Sequence, residues 1–189
     1  MQGGKTPISA STADAILMAA RTLFSDHGYD GTGLRAIADL AGVNVALIGR
    51  YFGSKEGLFL AAVPPMLDIG GLVNGPMSEF GIRAANLMDM RANRGFDPML
   101  ALIRTAASPS CAPALQAALD TQVIAPLASR LEGGDRHARA GLILATMAGY
   151  DLMKRIIAVD ALQGGAGIHR RDHLAAALQQ IVDRDTVME

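Results

Sequence analysis

Side chains suited to gripping phosphate or reading base edges gather between Thr32 and Lys55. Arg35, Arg50 and Lys55 supply positive charge, Thr32 and Tyr51 hydroxyls, and Asn44 an amide. An arginine can hold a phosphate, or reach O6 and N7 of a guanine with two donors at once. Elsewhere the residue types that carry covalent or metal chemistry do not assemble. His27, His137 and the pair His169 and His173 are scattered, and that pair, four apart, has no accompanying carboxylate–histidine motif. Neither a G-x-S-x-G elbow nor a phosphate loop of the P-loop type occurs. These residues point to a binding protein and not an enzyme, with no cofactor and no metal site.

The elements that must position the first group can be read from periodicity. Leu34, Ile37, Ala38 and Ala41 recur at helical spacing, which gives one apolar face. Gly42 follows, where a left-handed backbone is easiest without a side chain. Asn44 is a residue type that satisfies the free amides at a helix start, and Val45 to Phe52 form the helix it opens. Ser54 is placed to cap a further helix, which Pro64-Pro65 must end or kink. Helix, glycine-containing turn, helix is the helix-turn-helix plan, whose second helix lies in a DNA major groove. Ile48 and Phe52 fit that helix's buried side, leaving Val45, Ala46 and Gly49 outward, with Arg50 and Tyr51 near its end. Val45 and Ala46 can meet thymine methyl groups but cannot hydrogen-bond to bases, so Arg50 is the main candidate for guanine or phosphate. Specificity is expected to lean on DNA shape more than on direct readout. Thr32 is expected to cap the first of these helices and to meet phosphate at its N-terminus, with Arg35 one turn in. Gly49 weakens its helix by up to about 1 kcal/mol relative to alanine.

The stretch GYDGTGLRAIADLAGVNVALIGRYFGSKEGL resembles the N-terminal DNA-binding domain of TetR-family transcriptional regulators. The likeness runs over about Asp14 to Val63. It combines Gly28-Tyr29, Thr32, Ile37-Ala38, Ala41-Gly42-Val43, Tyr51-Phe52 and Ser54-Lys55. The resemblance implies backbone contacts near Thr32 and phosphate contacts at Tyr51 and Lys55. It implies a homodimer on a double-stranded DNA operator, a small-molecule effector in the C-terminal domain, and a bundle formed by the last two helices with their symmetry mates. Two departures stand out. Gly49 occupies a place where relatives commonly carry tyrosine, and Pro64-Pro65 interrupts the helix that usually links the domains.

Composition bounds the remainder. Half of the 189 residues are hydrophobic and few are aromatic, which favours helices over strands. Net charge is -1, and ahead of Pro64 the cations Lys5, Arg21, Arg35, Arg50 and Lys55 are balanced by Asp14, Asp26, Asp30, Asp39 and Glu56. Placement of cations, not their number, has to serve a phosphate backbone. The lone Cys111 excludes an intramolecular disulfide. No uncharged apolar run reaches a membrane span, and MQGGKTPISAS lacks an apolar signal core, so a soluble cytoplasmic protein without a membrane partner is expected.

The expected fold is all-α. A disordered arm covers 1–11, a three-helix helix-turn-helix domain 12–63, and a helical ligand-binding and dimerisation domain 64–189, with about nine helices in all. The first helix is predicted over Ala13 to His27. Past a Gly-rich stretch, helices are predicted over Ser78 to Asn93, over Phe96 to Ala107 with Asp97 as cap, and over Pro113 to Leu131 with a kink at Pro126. The last two run from Asp135 to Leu162 and from Arg170 to Asp183. Leu87, Met88, Met90, Leu100, Arg104, Leu119, Met147, Tyr150 and Asp151 are candidate pocket residues by region, in a bundle whose methionines suit varied apolar guests. Gly141, Ala145, Ala148 and Gly149 make a small-residue ridge, and Leu174, Leu178 and Ile181 share a side of the last helix, so both sets are candidate dimer contacts. The expected function is a homodimeric repressor released from a palindromic operator by a small lipophilic effector. The alternative, motivated by Gly49 and the neutral N-terminal domain, is a ligand-binding or scaffold dimer that no longer reads DNA.

Overall fold

The computed structural model describes residues 11–67, 69–90, 98–106, 108–163 and 167–184. Residues 1–10 of the expected arm and the Asp97 cap lie outside them. The described residues contain no strand and form ten helices, one more than expected.

Helix α1, Thr12–His27, starts at Ser11, whose hydroxyl accepts from the Asp14 amide while the Asp14 carboxylate accepts from the Ser11 amide. Two orphan donors are satisfied by this reciprocal pair. Helices α2 (Leu34–Ala41), α3 (Val45–Phe52) and α4 (Lys55–Ala62) follow, and Pro64–Met66 turns off α4 as one 3-10 turn. The Gly-rich stretch contains a single-turn helix α5, Gly70–Val73, and a 3-10 turn, Met77–Glu79, leads into α6, Phe80–Met90. Helix α7 is Pro98–Thr105.

Ala112–Leu119, a π turn over Asp120–Ile124 and Ala125–Ala128 run on as one rod, α8. The wide turn sits directly ahead of Pro126, which has no N–H to give and whose ring crowds the preceding turn. The distortion expected at Pro126 is thus absorbed just before it. Arg136–Asp151 continues through a second π turn, Leu152–Ile156, as α9. This helix stops short of Leu162, because Ala158 is left-handed (φ 57°) and Asp160–Leu162 is a separate 3-10 turn. The last helix, α10, is Gly167–Asp183, starting earlier than expected.

Two apolar cores hold these helices. The first joins Ile16, Phe24, Ile37, Ile48 and Phe59 of α1–α4 to Met99 and Leu102 of α7 and to Cys111, Leu115 and Val123 around and within α8. Its centre is aromatic: Phe59 meets Phe24 and Tyr29 edge-on, with ring centroids 5.1 and 5.6 Å apart. The second core packs Phe80, Ala84 and Met88 of α6 against Ile143 and Met147 of α9 and Leu174 and Leu178 of α10. Gln179 clamps this pairing, accepting from the Gly81 amide at 2.9 Å and donating to the Met77 carbonyl at 3.0 Å.

Candidate nucleic-acid interface

Helices α2 and α3 are joined by a turn in which Gly42 is left-handed (φ 66°, ψ 34°), and its N–H and that of Val43 close the end of α2. The side-chain oxygen of Asn44 accepts from the Ala46 amide at 2.8 Å, which caps α3. Ser54 caps α4 by accepting from the Gly57 amide at 3.0 Å. With its ends satisfied and Ile48 fully buried, α3 is held against the headpiece along one side only. Val45, Ala46, Gly49, Arg50 and Tyr51 face outward, and Arg35 is exposed in the first turn of α2.

One expected contact residue is placed otherwise. Thr32 is 2 % exposed, and its hydroxyl donates inward to the carbonyls of Leu23 (3.0 Å) and Gly28 (2.7 Å). Gly33, not Thr32, is the N-cap of α2. Thr32 therefore ties the end of α1 to the start of α2, and its hydroxyl is not presented to a phosphate. Lys55 is half-buried, with Nζ 4.4 Å from the centroid of the Tyr29 ring, a cation–π seat inside the headpiece. Cys111 lies nearby and is fully buried. Burial pushes its thiol up to about 11, with Glu56 and Asp30 adding to the rise and Lys55 opposing it. At neutral pH this thiol is protonated and unreactive.

Sequence reasoning missed how the headpiece is held. The guanidinium of Arg104, at the end of α7, donates to the carbonyls of Ser25 and Asp26 at the end of α1. The Ser108 hydroxyl donates to the Asp30 carboxylate at 3.0 Å. A basic residue meeting the last carbonyls of a helix is favourable, but no local pattern announces a partner this remote. Arg104 is accordingly a junction residue, not a pocket residue.

The bundle contains an apolar cavity bounded by Leu67, by Ile69, Leu72 and Val73 around α5, by Met99 of α7, by Val123 and Leu127 of α8, and by Ile143, Leu144 and Met147 of α9. Its volume is about 20 Å³, room for little more than one water. Of the candidate pocket residues whose side chains are described, only Met147 lines it. Met88 and Leu87 pack in or against the second core, Leu119 packs against the first, and Met90 is exposed. The Leu100 side chain lies outside the described residues. The Tyr150 hydroxyl accepts from Arg170 Nε at 3.0 Å, and buried Asp151 stands 3.8 Å from the Arg155 guanidinium.

The candidate dimer residues also separate. Leu174 and Leu178 are buried against α6 within one chain, and Ile181 is half-buried beside them, so they form intramolecular core. Ala145 is exposed, Gly141 and Gly149 are half-buried, and Ala148 packs inward. Leu142 is exposed on α9 one turn from Ala145, and Met153 and Ile156 are exposed in the π turn that follows.

A capped second helix with an open outer face, on a headpiece sealed to a helical bundle, defines a helix-turn-helix architecture. The chain belongs to the TetR family. Residues 16–62 match the model described as bacterial regulatory proteins, tetR family, and residues 79–182 match the tetracyclin repressor-like C-terminal domain. The HTH-type transcriptional regulator RutR of Escherichia coli is 42 % identical over 67 residues, 35 % of this chain and 32 % of RutR. The match thus spans about a third of that relative's length. A TetR-family regulator from Streptomyces coelicolor A3 superposes with a TM-score of 0.61 at 26 % identity, covering 96 % of this chain and all of that one. Reduced E. coli NemR shares the fold (TM-score 0.69, 16 % identity, 94 % of this chain and 100 % of NemR). No helix among the described residues is long and apolar enough to cross a membrane.

Proposed function

We propose that the protein is a repressor that acts in the cytoplasm as a homodimer on a palindromic operator and is released by a small lipophilic effector. The observation that carries this reading is the outer face of α3, on which none of the described residues packs, with Arg50 at its edge. One such helix covers little DNA, whereas a twofold pair doubles the contacts and sets the half-sites about 34 to 36 Å apart. Exposed apolar Leu142 on α9, with exposed Met153 and Ile156 in its π turn, supports pairing with a second copy.

The effector site is the apolar cavity. A drug-sized guest needs roughly 300 Å³ or more, so it enters only as the walls part. Those walls lead to the headpiece by two routes. Leu67 follows α4 through the Pro64–Met66 turn, and Met99 shares α7 with Arg104. A guest that favours the parted walls therefore shifts the headpieces away from the spacing that DNA requires, with a coupling of about 1 to 3 kcal/mol. Selection from random duplexes at low salt, with the oligomeric state measured by light scattering, tests the reading. A palindromic consensus bound by a dimer, with affinity falling steeply as salt rises, is expected. Failure to enrich any sequence, or a monomer bound to a single half-site, overturns it.

A further inference from the structure

Which bases a recognition helix can read depends on what its outward face carries, and here that face is bare. Val45 and Gly49 stand one turn apart with Ala46 beside them, all exposed and none with a side-chain donor or acceptor. The Asn44 oxygen already accepts the Ala46 amide. Arg50 flanks the face, and Tyr51 projects from the far side of the helix end. Gly49 is the telling residue. Its φ is not among the positive ones, and a Cβ built there meets nothing within 4 Å. Neither backbone conformation nor packing within the chain calls for glycine, yet glycine in an exposed helix interior is less stable than alanine. What glycine removes is the outermost atom of the surface that would meet a base pair.

We infer that α3 reads its half-site by seating the Val45, Ala46 and Gly49 surface against the C5-methyl groups of pyrimidines, with Gly49 setting how closely the helix backbone approaches the groove floor. The inference rests on the DNA-binding reading above and adds what is read. The C5-methyl is the apolar feature the major groove offers, and thymine is the base that carries it. Bases that present only donors and acceptors at this surface would lose water without gaining a partner, which disfavours them. Arg50 then serves the flanking guanine or phosphate.

The test uses the full-length chain and a duplex recovered by selection. Each thymine is replaced in turn by deoxyuridine, which keeps the pairing and deletes only the methyl, and Kd is measured by fluorescence anisotropy at one salt concentration. Loss of roughly fourfold is expected at one or two positions in each half-site, the factor for removing one buried methyl-sized group, with no change elsewhere. At those positions 5-methylcytosine separates the methyl from the rest of thymine: binding tighter than with plain cytosine is expected. Gly49→Ala is expected to raise the melting temperature yet weaken binding severalfold and blunt the uracil effect. Indifference to every uracil, or Gly49→Ala binding as tightly as the parent, overturns the inference while leaving DNA binding intact. Recovery of no duplex at all defeats the earlier reading instead.

Discussion

The two apolar cores divide the chain differently from its linear order. The second is what the order suggests, a bundle closed by α6, α9 and α10. The first crosses the Pro64-Pro65 break and draws α7 and the front of α8 into the headpiece. Helix α8 serves both: Leu115 and Val123 belong to the first core, Leu127 and Ala128 to the second. The change-over falls at the π turn Asp120–Ile124, where the widened helix alters which face each side chain takes. The difference teaches that the headpiece does not hang from a hinge. Its core is completed by α7 and α8, helices that also wall the cavity, so a disturbance there is felt through packing.

The sharpest way to break this comparison is to hollow each core in turn. Phe59→Ala should cost about 3 to 5 kcal/mol, and because Cys111 is buried in the same core, a thiol reagent should reach that cysteine sooner as the headpiece loosens. Phe80→Ala should cost a similar amount, measured by urea unfolding, while leaving Cys111 protected under native conditions. Equal acceleration of labelling by both substitutions would mean the cores open as one. A smaller effect sharpens the junction between headpiece and α7. Gly28 has φ 68° and ψ −176°, a region essentially reserved for glycine, and a Cβ there would stand 3.2 Å from the Arg104 carbonyl oxygen. Gly28→Ala should cost about 1 to 3 kcal/mol in urea unfolding and loosen Arg104 from the end of α1; an unchanged midpoint would leave the close approach without consequence. The smallest effect concerns Thr32. Thr32→Val removes the inward hydroxyl and should cost about 1 kcal/mol with operator affinity unchanged at temperatures where the protein stays folded. Loss of affinity without loss of stability would restore Thr32 to the phosphate contact expected from the sequence.

Much of the headpiece was legible. Gly42 in the turn, Asn44 and Ser54 as caps, Ile48 inward and Val45, Ala46 and Gly49 outward all follow from residue type and helical period. Thr32 was misplaced because a hydroxyl near a helix start has the same local pattern whether it faces solvent or carbonyls within the fold. In the bundle, Leu174 and Leu178 read as an apolar stripe, but a stripe does not say whether its partner is α6 of the same chain or another copy. Residues chosen by region alone did not anticipate the walls of the apolar cavity, since a cavity is where several elements fail to meet.

What the sequence by itself determined is whatever closes within a few residues. The caps of α1, α3 and α4 each join atoms two or three positions apart, and helical periodicity extends the same local rule along each rod. Only the tertiary structure decided that Arg139 would reach the carbonyls of Val182 and Arg184, or Arg104 those of Ser25 and Asp26, across 43 to 79 residues. Those carbonyls are orphaned by every helix end alike. Which guanidinium reaches which of them depends on how the rods pack, and helix propensity carries no information about that distance.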